Sequence, residues 1–246
     1  MNTSAIVDII IPVYNEAANI GAALAAIDRG VPTAKRVLVV HDTDEDDTVP
    51  AVRSLRGAHP WVELVRNDLG PGVAWAIRAG LAAASAEVVV VSMADLADDP
   101  AIVPEMVSMV VGRGYDLVCA SRYMPGGRRL GGPILKGLLS RFAGLSLHRL
   151  AGVGTRDATN AFRAYRRAKL VELDLEGRGG FALGLEILAK GHAAGWRIGE
   201  VPTTWRDRSA GASRFRLAAW LPTYLRWYLY AITHRPRPPA SVNLRP

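Results

Sequence analysis

Short runs of β-branched and other apolar residues alternate with alanine-rich stretches of helical periodicity through the first half of the chain, and this alternation restricts the fold more than any other feature. It predicts strands over 6–13, 36–41, 61–66, 87–92 and 116–120, with helices over 16–28, 46–55, 72–84 and 102–111 between them. Strands that are apolar at nearly every residue need both faces covered. Single intervening helices then imply a mostly parallel, Rossmann-like α/β sheet with right-handed crossovers and helices on both sides. Such sheets bind ligands beyond the carboxyl ends of their strands. Polar residues collect there: Tyr14, Asn15 and Glu16 after the first strand, His41 and Asp42 in the second, Asp95 after the fourth, and Ser121, Arg122 and Tyr123 after the fifth.

The second half is less regular. Glycines at 126–127 and 131–132 precede a helix predicted over 134–150. Residues 157–163 form a loop entering a strand, followed by a helix over 181–190, a strand over 197–201 and a polar loop over 203–214. Residues 1–214 make one domain, and 215–246 form amphipathic helices with a proline- and arginine-rich tail. Pro222 is expected to split the first of those helices into two pieces.

With 246 residues, half of them hydrophobic, the chain can bury a core without crosslinks. Its single cysteine, Cys119, lies in an apolar run and excludes a disulfide or a cysteine metal cluster. Residues 1–14 lack a basic flank and carry Asp8, which does not fit a signal peptide. The apolar stretch at 217–232 contains Pro222 and Arg226, short of the roughly 20 clean apolar residues of a membrane span.

The net charge is +7. Residues 206–246 hold eight arginines and one acid, so residues 1–205 sum to zero; within them, 117–156 hold seven basic residues and no acid. Acidic clusters at 42–47 and 95–105 balance this second basic segment. Two basic segments beside two acidic clusters suggest a cation site facing phosphate-bearing ligands. No zinc pattern, RNA-binding aromatic signature or helix-turn-helix accompanies the basic residues, which argues against nucleic acid. Trp220, Tyr224, Trp227 and Tyr228 share one helical face beside Leu217, Leu221 and Leu225, and this face suits either the core or an anionic membrane surface.

Six segments occur in the order found in one known family: Ile-Pro-Val-Tyr-Asn-Glu at 11–16, Val-Val-His-Asp at 39–42, Met-Ala-Asp-Leu at 93–96, Ser-Arg-Tyr-Met-Pro-Gly-Gly at 121–127, Asp-Ala-Thr-Asn-Ala-Phe-Arg at 157–163, and Glu-Val-Pro with Arg-Ser-Ala-Gly-Ala-Ser-Arg within 200–214. The chain resembles inverting family-2 glycosyltransferases of the GT-A fold, nearest to the polyprenyl-phosphate (dolichol-phosphate) mannosyltransferase type. The resemblance implies a glycosyltransferase that moves a sugar from a GDP- or UDP-linked donor to a lipid-linked acceptor. It would work in the cytoplasm, peripherally at the inner face of the membrane, alone, with a membrane partner or as a homo-oligomer.

The resemblance assigns Pro12, Tyr14, Glu16 and Asp42 to the nucleotide. Asp95, with Asp98 as a neighbouring ligand, is assigned to Mg²⁺ or Mn²⁺. A basic lid carries Arg208 as a catalytic residue, with Ser213 and Arg214 on the diphosphate. Arg122, Arg128, Lys136, Ser140 and Arg141 would hold the acceptor phosphate. Asp157 lies where the family places an acid near the acceptor. A phosphate acceptor needs no strong base, whereas for a hydroxyl acceptor Asp157 is the candidate base. Two positions depart from the pattern: Met93 stands where the first aspartate of Asp-x-Asp is expected, and His41 replaces the first of the earlier acidic pair. The departures leave open a protein that binds nucleotide sugars or lipid phosphates without efficient turnover.

Overall fold

The computed structural model describes residues 6–176, 180–207, 217–234 and 236. Its element order is β1 (Val7–Pro12), α1 (Ala17–Gly30), β2 (Lys35–His41), α2 (Thr48–Leu55), β3 (Val62–Arg66), α3 (Val73–Ala83), β4 (Val88–Val91), α4 (Val103–Arg113), β5 (Leu117–Ser121), β6 (Arg128–Leu130), α5 (Ile134–Ser146), β7 (Arg163–Arg166), α6 (Arg167–Val171), α7 (Leu183–Ala193), β8 (Ile198–Pro202), β9 (Thr204–Arg206) and α8 (Leu217–Thr233). The helix predicted over 134–150 ends its α-helical part at Ser146 and continues as a π-helical turn over Leu147–Ala151.

Seven strands form the main sheet in the order β3-β2-β1-β4-β7-β5-β8. All pairings are parallel except those of β7, which runs antiparallel between β4 and β5. The sequence led to a loop entering a strand here, and the structure inserts that strand into the middle of the sheet. β1 is buried along its whole length. Its one acid, Asp8, is neutralised by Arg36 of β2 at 2.9 Å and accepts backbone N–H bonds from Ser85 and Ala86. α3 lies directly on the sheet at Gly80, where a Cβ would sit 2.5 Å from Ile10 Cγ2.

The chain builds outward from β1 through β2 to β3, then returns to place β4 on the other side of β1. The gap between the carboxyl ends of β1 and β4 is therefore the switch point at which open α/β sheets bind ligands. Because β7 is antiparallel, the loop that enters it reaches the same rim. A small parallel ribbon of β6 and β9 stands above that rim, anchored by Thr203 N to Ser121 O at 3.1 Å and Arg206 N to Ala97 O at 2.8 Å.

Pro222 does not divide the C-terminal helix: α8 is one helix with Pro222 inside it. Proline there removes one backbone donor, and packing of the following turns sustains the helix. Trp227 and Ala231 are buried with Leu183, Leu185 and Leu188 of α7, so α8 is part of the globular body. Leu221, Leu225 and Leu229 form an exposed stripe at a spacing of four residues. Among the described residues, no helix is long and apolar enough to cross a membrane.

Candidate active site

A cavity of about 930 Å³ opens at the switch point and runs along α5 to α8. Its two ends differ in chemistry. At the rim lie Pro12, Tyr14, Glu16, Asp42, Met93, Asp95 and Asp98. At the far end, Leu139, Phe142, Leu147, Leu221 and Leu225 make an apolar slot, with the Tyr224 and Tyr228 rings beside them.

The nucleotide-side residues are held by bonds between the loops after β1 and β2. Asn15 N donates to Asp46 Oδ1 at 3.1 Å, and Glu16 N donates to Thr48 Oγ1 at 2.9 Å. Asp42 spans to the loop before α3, accepting from Asn67 Nδ2 at 2.6 Å and Gly72 N at 2.8 Å. His41 is buried, and its Nδ1 donates to Thr43 O at 2.9 Å. It does not line the cavity, so its replacement of an acid alters the loop's interior while Asp42 keeps the cavity position. The two non-glycine residues with left-handed backbone among those described, Asn15 (φ 54°) and Leu96 (φ 52°), both follow strands at this rim. Asparagine tolerates that conformation, whereas at Leu96 it costs about 1–3 kcal/mol. The strain sits directly beside Asp95.

The two expected metal ligands are placed differently. Asp95 Oδ1 accepts from Ala97 N at 3.1 Å in a tight turn. Asp98 is a strut: its Oδ1 accepts from Asn160 Nδ2 at 3.1 Å and Thr203 Oγ1 at 2.9 Å, tying the loop after β4 to those before β7 and β9. Burial pushes its carboxyl up to about 6 against those two bonds. Among the described residues, no three His, Cys, Asp or Glu side chains are grouped so as to hold a metal ion by themselves. Mg²⁺ sites commonly use one or two carboxylates completed by substrate phosphates and water. Asp95 and its surroundings fit a divalent ion that arrives with a diphosphate.

Arg122 is the most constrained charge of the site. Its Nε donates to Asp157 Oδ2 at 2.6 Å and its Nη2 to Asp157 Oδ1 at 2.8 Å, Thr159 Oγ1 at 2.9 Å and Ser140 Oγ at 3.1 Å. Among the described residues Nη1 makes no hydrogen bond, and Arg122 lines the cavity. Ser140 in turn bonds Thr159 Oγ1 at 2.5 Å and accepts from Tyr123 OH at 2.9 Å. The loop bearing Asp157 is pinned from below by Glu200 of β8, which accepts from Arg156 N at 2.7 Å and pairs with the Arg156 guanidinium.

Asp157 sits behind Arg122. It is fully buried, does not line the cavity, and also accepts from Asn160 N at 3.2 Å and Thr159 N at 3.4 Å. Burial pushes its carboxyl up, but the hydrogen bonds and charge of Arg122 more than reverse this and hold it below its ordinary value. The carboxylate is held in place by these bonds and orients Arg122.

Lys136 and Ser140 line the cavity, but Arg128 and Arg141 do not. In β6, side chains alternate: Arg128 and Leu130 face solvent while Arg129 turns inward. Arg141 lies one residue past Ser140, which rotates it about 100° off the cavity face of α5. Arg208, Ser213 and Arg214 lie outside the described residues. Sequence reasoning missed Arg129, Trp205, Asn160 and Thr203. Asn160 lies within a motif already singled out, whereas the inward register of Arg129 depends on a three-residue strand too short to carry a periodic signal.

Topology and site together are those of a GT-A glycosyltransferase. The family model described as Glycosyl transferase family 2 matches residues 8–173, and the chain belongs to that family. Dolichol-phosphate mannosyltransferase of Pyrococcus furiosus is 31% identical over 214 residues, 85% of this chain and 59% of the relative. Polyprenol monophosphomannose synthase of Mycolicibacterium smegmatis is 29% identical over 86% of this chain and 85% of its own. Undecaprenyl-phosphate mannosyltransferase of Micrococcus luteus is 30% identical, covering 83% and 85%. Among solved structures, glucosyl-3-phosphoglycerate synthase of Mycobacterium tuberculosis, in complex with Mn²⁺, UDP-glucose and phosphoglyceric acid, superposes with a TM-score of 0.71 at 20% identity. It covers 95% of this chain and 82% of that one. At that identity the likeness concerns the fold.

Proposed function

We propose that the chain transfers a sugar from a nucleoside diphosphate donor, GDP- or UDP-linked, to the phosphate of a polyprenyl phosphate, with inversion at the anomeric carbon. The observation that carries this reading is the joining, in one cavity, of a polar rim at the switch point to an apolar slot, with Arg122 and Ser140 among its lining residues. A lipid phosphate needs both ends of such a cavity. A sugar or glycan hydroxyl needs a general base, and Asp157 is locked against Arg122. The names of the three relatives support the same acceptor class and suggest mannose as the sugar.

The reaction needs little from the protein beyond placement. An ionised phosphate oxygen attacks the anomeric carbon from the face opposite the donor diphosphate, the bond to that diphosphate breaks, and the nucleoside diphosphate leaves. Arg122 Nη1, with Lys136 and Ser140, holds the acceptor phosphate through charge-assisted bonds. Pro12, Tyr14, Glu16 and Asp42 border the base and ribose. A divalent ion bound at Asp95 would neutralise charge on the departing diphosphate. Arg208, Ser213 and Arg214 are assigned to that diphosphate on their sequence motif alone. The exposed leucines of α5 and α8 would bring the mouth of the slot to a lipid surface, so that the acceptor need not leave the bilayer.

The test is to incubate the purified protein with radiolabelled GDP- and UDP-sugars, a polyprenyl phosphate and Mg²⁺ or Mn²⁺, and to measure label passing into the lipid phase. Transfer from one donor, with the inverted anomer by NMR, is the expected result. Transfer to a hydroxyl acceptor in its place would overturn the reading. Thermal shifts with GDP and UDP give an independent readout, because a ligand at 100 times its Kd stabilises by about 2.7 kcal/mol.

A further inference from the structure

Arg129 is held in a way that few surface arginines are. Its guanidinium lies over the Trp205 ring, 5.3 Å from the centroid, and Nη2 donates to Pro133 O at 3.1 Å. On the side of α5 only glycine leaves room for it. A Cβ on Gly137 would meet Nη1 at 2.5 Å, and one on Gly132 would meet Nη2 at 2.6 Å. The group is thus seated against helix backbone, indole and two glycines. It lines the cavity, and among the described residues it pairs with no carboxylate and its Nε and Nη1 make no hydrogen bond.

Other cations line the cavity beside it, as does Asp207, whose backbone N–H bonds Leu130 O in the same ribbon. Gly137 precedes Ser140, the partner of Arg122, by three residues, about 4.5 Å along the helix axis. Arg129 and Arg122 are therefore seated one turn apart on the same face of α5. Lys136 shares that face, and the start of α5 adds the positive end of the helix dipole. A guanidinium held in place with donors facing a cavity is preorganised to accept an anion through charge-assisted bonds. α5 carries the apolar slot onward from this point, so the anion belongs to the lipid substrate.

We propose that Arg129 is a second phosphate-binding arginine on the acceptor side, completing with Arg122 and Lys136 a three-cation cradle that binds the polyprenyl phosphate as its dianion. The proposal rests on the polyprenyl-phosphate reading. Arg129 sets acceptor affinity, Trp205 and the glycines keep its guanidinium in place, and the donor end of the cavity is independent of it.

The experiment measures steady-state transfer to a short-chain polyprenyl phosphate by wild type, R129M, R129K, G137A and the double variant R129M/G137A. R129M is expected to raise the KM for the acceptor about tenfold or more, leaving the donor KM and kcat within about twofold, with partial recovery in R129K. G137A keeps the charge but displaces it, and favours the helix; it should raise the acceptor KM without lowering the melting temperature. The double variant should be no worse than R129M alone. An unchanged acceptor KM in R129M beside an active wild type would overturn the proposal, as would a rise confined to the donor KM. If wild type itself fails to use any polyprenyl phosphate, the reading beneath the proposal fails instead.

Discussion

Asp157 and Arg122 form a two-point ion pair in which the Asp157 side chain is 0% and the Arg122 side chain 10% exposed, and Arg122 alone of the two lines the cavity. Asp157→Asn removes the charge while keeping the shape. A partner removed from a buried pair costs about 3–5 kcal/mol, and a loosened Arg122 is expected to lose most transfer activity. The linkage sign is fixed by the depressed carboxyl. Its contribution is complete above the ordinary value of 3.8 and is lost as pH falls through the lower folded value. Urea titrations between pH 3 and 7 should show the gap between wild type and D157N closing on the acid side. A constant gap would remove the electrostatic account of the pair.

Asp98 titrates in the opposite sense. Burial raises its carboxyl to about 6, so its contribution to stability is full below 3.8 and is lost as pH rises through 6. Asp98→Asn retains an acceptor for Asn160 and Thr203 without the buried charge. It is expected to match wild type near pH 4 and to exceed it by about 1–3 kcal/mol at pH 7.5. Activity and Mn²⁺ dependence should survive if Asp98 is a strut. Loss of Mn²⁺ dependence in this variant would return it to the metal site.

Asp95→Ala separates chemistry from folding. The side chain accepts a local bond from Ala97 N and sits at the rim, outside the buried core, and a stability loss of about 1–2 kcal/mol is expected. Transfer should fall by at least about a hundredfold, and the nucleotide thermal shift should lose its Mn²⁺ component. A variant that keeps both would place the metal on other groups.

The alternation of apolar strands with alanine-rich helices made β1 to β5 and their helices legible, because each is a local pattern of period two or 3.6. The place of β7 was not. Whether residues 163–166 join the end of a sheet or its middle depends on pairing with β4 and β5, more than 40 residues away. The burial of Asp157 behind Arg122 likewise depends on contacts between segments 35 residues apart, which no local pattern carries. Arg122, Lys136 and Ser140, singled out by motif and helix spacing, all line the cavity. The inward face of Arg129, against the outward face of Arg128, belongs to a three-residue strand that has no readable period. Pro222 warned of a break that the packing of Trp227 and Ala231 overrides.

The apolar surface of α5 gives the last prediction. Ile134 and Leu138 are 78% and 59% exposed and do not line the cavity, and Phe142, 70% exposed, continues the same face at its inner edge. Leu221, Leu225 and Leu229 of α8 add a second stripe across the slot. Each buried leucine or isoleucine is worth about 1.5–3 kcal/mol in an apolar phase, and basic residues strengthen attachment to anionic lipid. Wild type is therefore expected to sediment with anionic liposomes, less strongly at high salt. I134E/L138E should abolish sedimentation with little change in melting temperature, since neither residue belongs to the core. Transfer to a water-soluble short-chain acceptor should persist in that variant while transfer to a liposome-embedded one falls. Equal sedimentation of wild type and I134E/L138E would show that this face does not meet the membrane.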